Sequence, residues 1–228
     1  MEDSSSDITS GHMAKQLTPE ELDKMRAQNS RLVPENRALL LEKDAKKYWD
    51  LFYKRNDTRF FKDRHWTTRE FEELANRGGS IFEVGCGVGN LIYPLLEDGL
   101  NFKRIYVCDL SPRAIDFVKS HSLYNENKIK AFQTDITTDN YGVLLFRDYG
   151  LYDMAQLRFK PGNKIAENFY MRQDGTRSYY FSVEELQKIF ESAGFETITC
   201  EYVHRRTVNV KEKVDVPRIF VQAKFRKP

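Results

Sequence analysis

Glu83-Val84-Gly85-Cys86-Gly87-Val88-Gly89-Asn90 carries the reading of this chain. Ser80-Ile81-Phe82 leads in as a short apolar strand, and Leu91-Ile92-Tyr93-Pro94-Leu95-Leu96 follows as an apolar helical run. A strand, glycines on alternate positions and a helix make a turn that lets a ligand approach the backbone, because no Cβ stands in its way. The next apolar run, Ile105-Tyr106-Val107-Cys108, ends on Asp109. An acid about 20 residues past such a turn is placed for the hydroxyl pair of a ribose. Ile129 to Phe132 leads to a third acid, Asp135. Three strand ends thus bring Gly85, Asp109 and Asp135 to one edge of a parallel sheet, where open α/β folds bind ligands.

Glu83 argues about the kind of ligand. A carboxylate just before the glycines opposes a pyrophosphate and suits a ligand with a positive group, such as the ammonium and sulfonium of S-adenosylmethionine. Other readings stay open on these residues alone. The glycines make an ordinary strand-to-helix turn, or a dinucleotide turn. Asp109 belongs to the cap region before Ser111-Pro112, a good helix start. Asp135 is a loop acid.

Glu83 to Asn90 resembles the first motif of class I S-adenosylmethionine-dependent methyltransferases. Four further stretches narrow the likeness: Lys47-Tyr48-Trp49-Asp50-Leu51-Phe52-Tyr53-Lys54, Phe60-Phe61-Lys62-Asp63-Arg64-His65-Trp66, Phe146-Arg147-Asp148-Tyr149-Gly150, and Asn168-Phe169-Tyr170-Met171-Arg172-Gln173-Asp174-Gly175-Thr176-Arg177. Together, from about Lys43 to the C-terminus, the chain resembles the tRNA N3-methylcytidine methyltransferases, the methyltransferase-like proteins of types 6, 2 and 8, with type 6 nearest. The resemblance implies a Rossmann-like sheet, S-adenosylmethionine as cofactor and tRNA as substrate. It implies that Trp49 and Tyr53 cover the cofactor and that Gly85 passes under its methionine part, with Glu83 and Gly87 as further cofactor-binding residues. Asp109 would hold the ribose, and Asp135 and Ile136 would meet the adenine. Trp49 and Tyr53 stand four apart, so one helix can point both the same way; core packing is their other reading.

Composition sets bounds. The chain has 228 residues, 40% hydrophobic and 31% charged, enough for a core of ordinary size. No apolar run is long enough to span a bilayer, and the acidic start Met1 to Asp7 has none of the marks of a signal peptide. Cys86, Cys108 and Cys200 read as free thiols of a reducing compartment. Neither they nor His12, His65, His121 and His204 show metal-ligand spacing, so no metal is expected. The expected location is the cytoplasm, with the nucleus as a second one. Net charge is only +2, but Lys43 to Arg69 holds nine Lys or Arg against four Asp. Seven aromatics interleave there, from Tyr48 to Trp66. Cations suit phosphates and flat rings suit unstacked bases. A helix with a solvated basic face and a buried aromatic one is the plainer reading of the same pattern. The family reading makes Arg55, Arg59, Arg64 and His65 substrate contacts.

Three regions follow: a disordered N-terminus (1–16), a helical extension serving as cofactor lid and RNA contact (17–77), and a Rossmann-like methyltransferase domain (78–228). Thr18-Pro19-Glu20-Glu21 is a capping box. Pro34 starts a helix running to about Lys54, and Thr67 with Glu70 caps another. Strands are expected near 81–85, 104–109 and 129–133, then at Val143 to Phe146. Ser182 caps a helix ending at Gly194, and Phe195–Val203 with Val216–Phe225 closes the fold as an antiparallel hairpin.

Between Asp135 and Gly142 lie only the six residues Ile136 to Tyr141. The family carries there a strand, a helix and a turn, roughly forty residues, and a parallel crossover alone needs about a dozen. The core strand after Asp135 is therefore missing, and the chain is a shortened form. Ile81 to Val84 should lack a neighbour on one side and leave an exposed apolar edge.

The implied reaction is methyl transfer to cytosine N3. That nitrogen carries an in-plane lone pair, so alignment matters more than a base. Pairing occupies N3, so the target is single-stranded or flipped out. Asp148 would face the developing positive charge and Arg147 the base carbonyl or a phosphate; a structural Arg–Asp pair is the alternative. Arg172, Asp174 and Arg177 would close over the cytidine, or only form a turn at Asp174-Gly175. The type 6 likeness favours the anticodon loop of serine tRNAs, with seryl-tRNA synthetase as a partner. Two other classes remain: a catalytically impaired RNA- or partner-binding form, and a dinucleotide-dependent oxidoreductase, which Glu83 disfavours.

Overall fold

The computed structural model describes residues 9–75, 79–133, 143–209 and 214–227. In chain order the elements are β1 (Thr9–Gly11), α1 (Pro19–Asn29), α2 (Glu35–Lys43), α3 (Ala45–Asn56), α4 (Thr67–Glu70), β2 (Ser80–Val84), α5 (Ile92–Glu97), β3 (Arg104–Asp109), α6 (Pro112–Ser120) and β4 (Ile129–Gln133). Then come β5 (Val143–Tyr149), α7 (Met154–Leu157), β6 (Lys164–Ala166), β7 (Phe169–Met171), β8 (Arg177–Tyr179), α8 (Val183–Ser192), β9 (Glu196–Asn209) and β10 (Val214–Arg226). They divide into two compact units, Leu41–Thr138 on one hand and Met1–Leu40 with Asp139–Pro228 on the other. This cut differs from the sequence boundaries at residues 16 and 77.

The Leu41–Thr138 unit is a parallel sheet in the order β2-β3-β4. Ile81 pairs with Ile105 and Ile105 with Ile129. Parallel strands need crossovers, and α5 and α6 lie in the two connections. Ile105, Val107 and Ile129 are buried, as are Ala114, Ile115 and Val118 of α6. The helix expected from Pro34 to Lys54 is broken at Asp44, whose φ of −96° and ψ of 14° leave the helical well. Asp is a weak helix-interior residue because its side chain competes for the backbone. Thr67 does not cap α4; its hydroxyl donates to the Arg64 carbonyl at 2.8 Å and Trp66 holds the cap position.

The other unit is built on an antiparallel sheet, β1-β9-β10-β5. The expected closing hairpin is present and longer than its apolar alternation suggested. Val183 and Leu186 of α8 pack on Cys200, Tyr202, Ile219, Val221, Ala223 and Phe225. Ser182 caps α8 as expected, and Gly194 takes φ 78° just past its end. The capping box on α1 is formed in full. Thr9–Gly11, expected to be disordered, pairs with Tyr202–His204, because the outer edge of β9 offers backbone partners. Residues 1–8 lie outside the described residues.

A third sheet, β6-β7-β8, was not anticipated. Its strands are three residues each, too short for a periodicity to register. Long-range bonds hold α1 to this region. Buried Gln28 donates to the carbonyls of Gln156 (2.9 Å) and Phe159 (3.2 Å) and accepts from the Tyr170 hydroxyl (2.9 Å).

One doubly wound sheet closed by the hairpin was expected; among the described residues β2 pairs with β3 alone and β5 with β10 alone. The strand expected to be missing is the one that would neighbour β2.

Asp153 fixes the start of α7 and the middle of β10. Fully buried, it accepts from the Ala155 N–H (2.9 Å), the Ile219 N–H (2.7 Å) and Arg218 Nε (2.9 Å). Removing one member of such a pair strands a buried charge, costing about 3–5 kcal/mol. Asp153→Ala should therefore lower stability by that amount in urea unfolding, and Asp153→Asn by less. A loss under 1 kcal/mol for the alanine variant, on the order of an exposed pair, would show that the network contributes little.

Candidate functional site

The glycine turn is built by backbone sterics. Gly85, Gly87 and Gly89 all have positive φ (66°, 55° and 94°), which other residues adopt at a cost. Their surroundings differ. A Cβ on Gly87 would stand 2.9 Å from the Tyr53 hydroxyl, and one on Gly89 would collide with the Tyr93 ring at 2.4 Å. On Gly85 it would meet no atom within 4 Å. Gly87 and Gly89 are closed by packing, and Gly85 is where a ligand can reach the main chain.

Asp109 ties the turn to the next strand. Its buried carboxylate accepts from the Gly87 N–H and the Ser111 N–H, each at 2.9 Å. Burial raises its pKa, while these N–H bonds pull it down. Beside its bonds from the Gly87, Ser111 and Leu110 N–H groups, the carboxylate keeps acceptor capacity for a ribose hydroxyl. Ser111 caps α6 through Ala114, and Asp50 of α3 accepts from the Ser111 hydroxyl (3.0 Å) and the Arg113 N–H (3.1 Å). Asp50 was not singled out in the sequence, since it lies 61 residues from its partner.

Trp49 and Tyr53 face the same way, with ring centroids 6.4 Å apart. Tyr53 is buried and packs with Phe52, Val88 and Ala114, Trp49 lying partly buried beside them. The core reading of this helix face holds, and it lies directly against the glycine turn.

Glu83 is incompletely satisfied. One of its carboxyl oxygens is buried with no hydrogen-bond partner among the described residues. Burial pushes its pKa up to about 8; Arg64 and the Ile92 N–H pull it down, and Asp109 adds to the rise. A carboxyl oxygen buried without a hydrogen bond, on a group that burial pushes toward its neutral form despite Arg64, is what a cationic ligand would satisfy. The open approach at Gly85, this orphaned oxygen and the Asp109 lone pairs fit S-adenosylmethionine. Arg64, expected to meet RNA, also acts on this carboxyl. His65 bonds Asp98 at 2.9 Å. Arg55 and Arg59 are exposed. Asp135 and Ile136 lie outside the described residues. Among the described residues no His, Cys, Asp or Glu group could hold a metal, and no helix is long and apolar enough to cross a membrane.

The remaining candidates belong to the second unit. Arg147 and Asp148 are consecutive on β5 and so point to opposite faces. Arg147 donates to Gln222 at 2.9 Å and lies 4.9 Å over the Phe220 ring; Asp148 is exposed. Arg172 stands 6.0 Å over Tyr149 and Arg177 5.3 Å over Phe169. Asp174 accepts from the Thr176 N–H and hydroxyl, closing the expected turn at Gly175. Arg218, unmarked in the sequence, lies 5.3 Å over Tyr149 and 5.4 Å over Phe220. Arg147, Arg172 and Arg218 thus gather over the Tyr149 and Phe220 rings of β5 and β10, while Arg177 lies over Phe169 on the β7–β8 hairpin.

No family model matches the chain. It is 48% identical to the tRNA N(3)-cytidine methyltransferase METTL6 of Mus musculus, over 96% of this chain and 93% of that protein. It is 41% identical to the tRNA N(3)-methylcytidine methyltransferase trm141 of Schizosaccharomyces pombe, over 82% and 94%. The mouse alignment runs over 264 positions yet takes in about 219 residues here (96% of 228), so some 45 positions have no counterpart. The yeast alignment has 233 positions for about 187 residues (82% of 228), a surplus of about 46. The size is that of the segment expected to be missing after Asp135. Among solved structures, an Anabaena variabilis SAM-dependent methyltransferase superposes with a TM-score of 0.56 at 12% identity, over 80% of this chain and 95% of that one. That likeness supports a Rossmann-like class I fold.

Glu83 has a consequence for stability. Its folded pKa is raised from 4.5 to about 8, so between these values the folded state holds a proton that the unfolded chain releases. Stability of the ligand-free protein should fall as pH rises through that window. Glu83→Gln removes the titration, and the decline in Tm from pH 4.5 to pH 8 should flatten in calorimetry. An unchanged slope would mean that other groups set it.

Proposed function

We propose that this chain, which belongs to the tRNA N(3)-cytidine methyltransferase family, methylates cytosine N3 in the anticodon loop of tRNA, serine tRNAs being favoured. The observation that carries the reading is the buried Glu83 carboxyl beside the open approach at Gly85, on a turn held by Asp109. S-adenosylmethionine supplies the methyl group when bound. Glu83 would meet its positive charge, Asp109 its ribose, and Trp49 with Tyr53 would cover it; Asp135 and Ile136 would meet the adenine.

The rest of the chemistry falls to positioning. Cytosine N3 is a nucleophile at neutral pH, so no general base is required. The product base is cationic, and the exposed Asp148 carboxylate would stabilise that charge. Arg147, on the opposite face of β5 from Asp148, would meet a phosphate, and Arg172, Asp174 and Arg177 would hold the flipped nucleotide. Arg55, Arg59 and His65 would steer the phosphate backbone. Seryl-tRNA synthetase is a fitting partner, and the cytoplasm, with the nucleus second, the fitting location.

A second reading is favoured by one observation: among the described residues the parallel sheet ends at β2. The strand that would extend it lines the cofactor site in the family, so this form should turn over poorly and act mainly as an RNA- or partner-binding protein.

Asp109→Ala should weaken S-adenosylhomocysteine binding by about 1–3 kcal/mol in calorimetry, from lost charge-assisted hydrogen bonds. Tight NAD binding without a response to S-adenosylhomocysteine would reject the cofactor.

Labelled methyl incorporation into serine tRNA, run beside a form with the segment restored, tests the reaction and separates the two readings. Equal turnover in both forms supports the enzyme reading, turnover only in the longer form supports the second, and none in either removes serine tRNA as the substrate. In the same assay, charge reversal at Arg55 and Arg59 should weaken tRNA binding and shallow its salt dependence. Unchanged affinity would move the RNA surface elsewhere.

A further inference from the structure

Residues 57–66 join α3 to α4 without a helix or a strand of their own. Such a segment keeps one conformation only where other residues hold it, because ordering it costs conformational entropy. Its rings hold it to α3: Phe60 and Phe61 lie 4.8 and 5.9 Å from buried Phe52. Its end is held at Arg64, whose carbonyl accepts from the Thr67 hydroxyl (2.8 Å) and N–H (3.1 Å). A third hold comes from Asn90. The Asn90 side-chain amide donates to the Phe61 carbonyl (3.3 Å) and to Asp63 Oδ1 (3.0 Å), and the Asn90 carbonyl accepts from the Arg64 N–H (2.8 Å). Arg59, Lys62 and Arg64 stand exposed on this loop.

Asn90 also ends the glycine stretch. Ahead of it the Gly87 N–H bonds the Asp109 carboxylate, and beyond it the Ile92 N–H bonds the Glu83 carboxyl. A ligand seated on these two acids therefore fixes the backbone on either side of Asn90. Arg64 closes the circle, since its charge acts on Glu83 and on the Tyr53 hydroxyl.

We propose that Asn90 is a positioning residue that joins the cofactor turn to loop 59–64, so that cofactor and tRNA bind cooperatively. A ligand on the turn stiffens the backbone at Asn90, and the three hydrogen bonds carry that order to the loop. The RNA then meets cations already in place and loses less entropy on binding. Linkage makes the effect reciprocal, so tRNA raises the affinity for the cofactor by the same factor. The inference rests on the reading of the turn as the cofactor site and of the loop as an RNA contact.

The test uses the full chain, S-adenosylhomocysteine and a serine tRNA transcript. Calorimetry gives the Kd of each ligand without and with a saturating amount of the other. Each should tighten the other by about fivefold or more, and by the same factor. Asn90→Ala removes the two side-chain bonds and should bring the factor close to one. Asp63→Ala removes one of them from the loop side and should lower the factor part of the way. Its side chain is exposed, so this variant decides the matter if Asn90→Ala unfolds. Independent binding of the two ligands to the unaltered chain overturns the inference and leaves the reading of the site standing. Weaker binding of each ligand to the variants with the factor unchanged also overturns it, since an Asn90 that only stabilises the fold gives that result. An unaltered chain that binds neither ligand removes the reading of the site and the inference with it.

Discussion

The Asp109 carboxylate is the joint on which the ligand-binding unit depends. Its two oxygens reach the Gly87 and Ser111 N–H groups, one in the turn after β2 and one at the start of α6. Three glycines with positive φ could adopt many conformations; this bond selects one. Ser111 passes the constraint on, since its hydroxyl both caps α6 and donates to Asp50 of α3. Trp49 and Tyr53, on that same helix, are thereby set against the turn. A chain of four short polar contacts thus fixes the relation of strand end, turn and aromatic cover.

Within this frame Glu83 is deliberately costly. Burying a carboxyl with one oxygen unbonded is unfavourable, and burial pushes its pKa up to about 8 although Arg64 pulls the other way. A positively charged ligand returns the group to its preferred ionised form, so the penalty becomes selectivity. A pyrophosphate would keep the same acid in its neutral form and gain no ion pair from it, which is why the glycine spacing does not mean a dinucleotide here.

The second unit solves a different problem with the same means. Its hairpin of β9 and β10 is long and apolar on one face, and α8 covers that face. The small three-stranded sheet has too little area to be stable alone. Gln28 and Asp153, both fully buried and both multiply bonded, attach α1 to Tyr170 of that sheet and α7 to β10. Arginines over Tyr149, Phe169 and Phe220 keep cations close to aromatic rings on its surface. Charge and flat rings side by side are the elements of a surface for unstacked bases.

Local signals reached a long way. The strand-turn-helix at Ser80–Leu96, the acid after the next strand, the capping box at Thr18 and the helix between Ser182 and Gly194 were all legible, because each depends on residues within a few positions. Four ordered motifs sufficed to name the family, and the short interval after Asp135 led to the expectation of a sheet ending at β2, where it ends among the described residues. What stayed hidden depends on residues far apart. Asp50 on Ser111, Gln28 on Tyr170, Asp153 on Arg218 and the pairing of Thr9–Gly11 with β9 join positions that no spacing rule connects. Asp44 broke a helix that the apolar periodicity ran straight through, and three-residue strands fell below any period. A sequence records the preferences of neighbours; pairing across the fold is settled by which buried polar groups find partners, and that choice exists only once the chain has closed on itself.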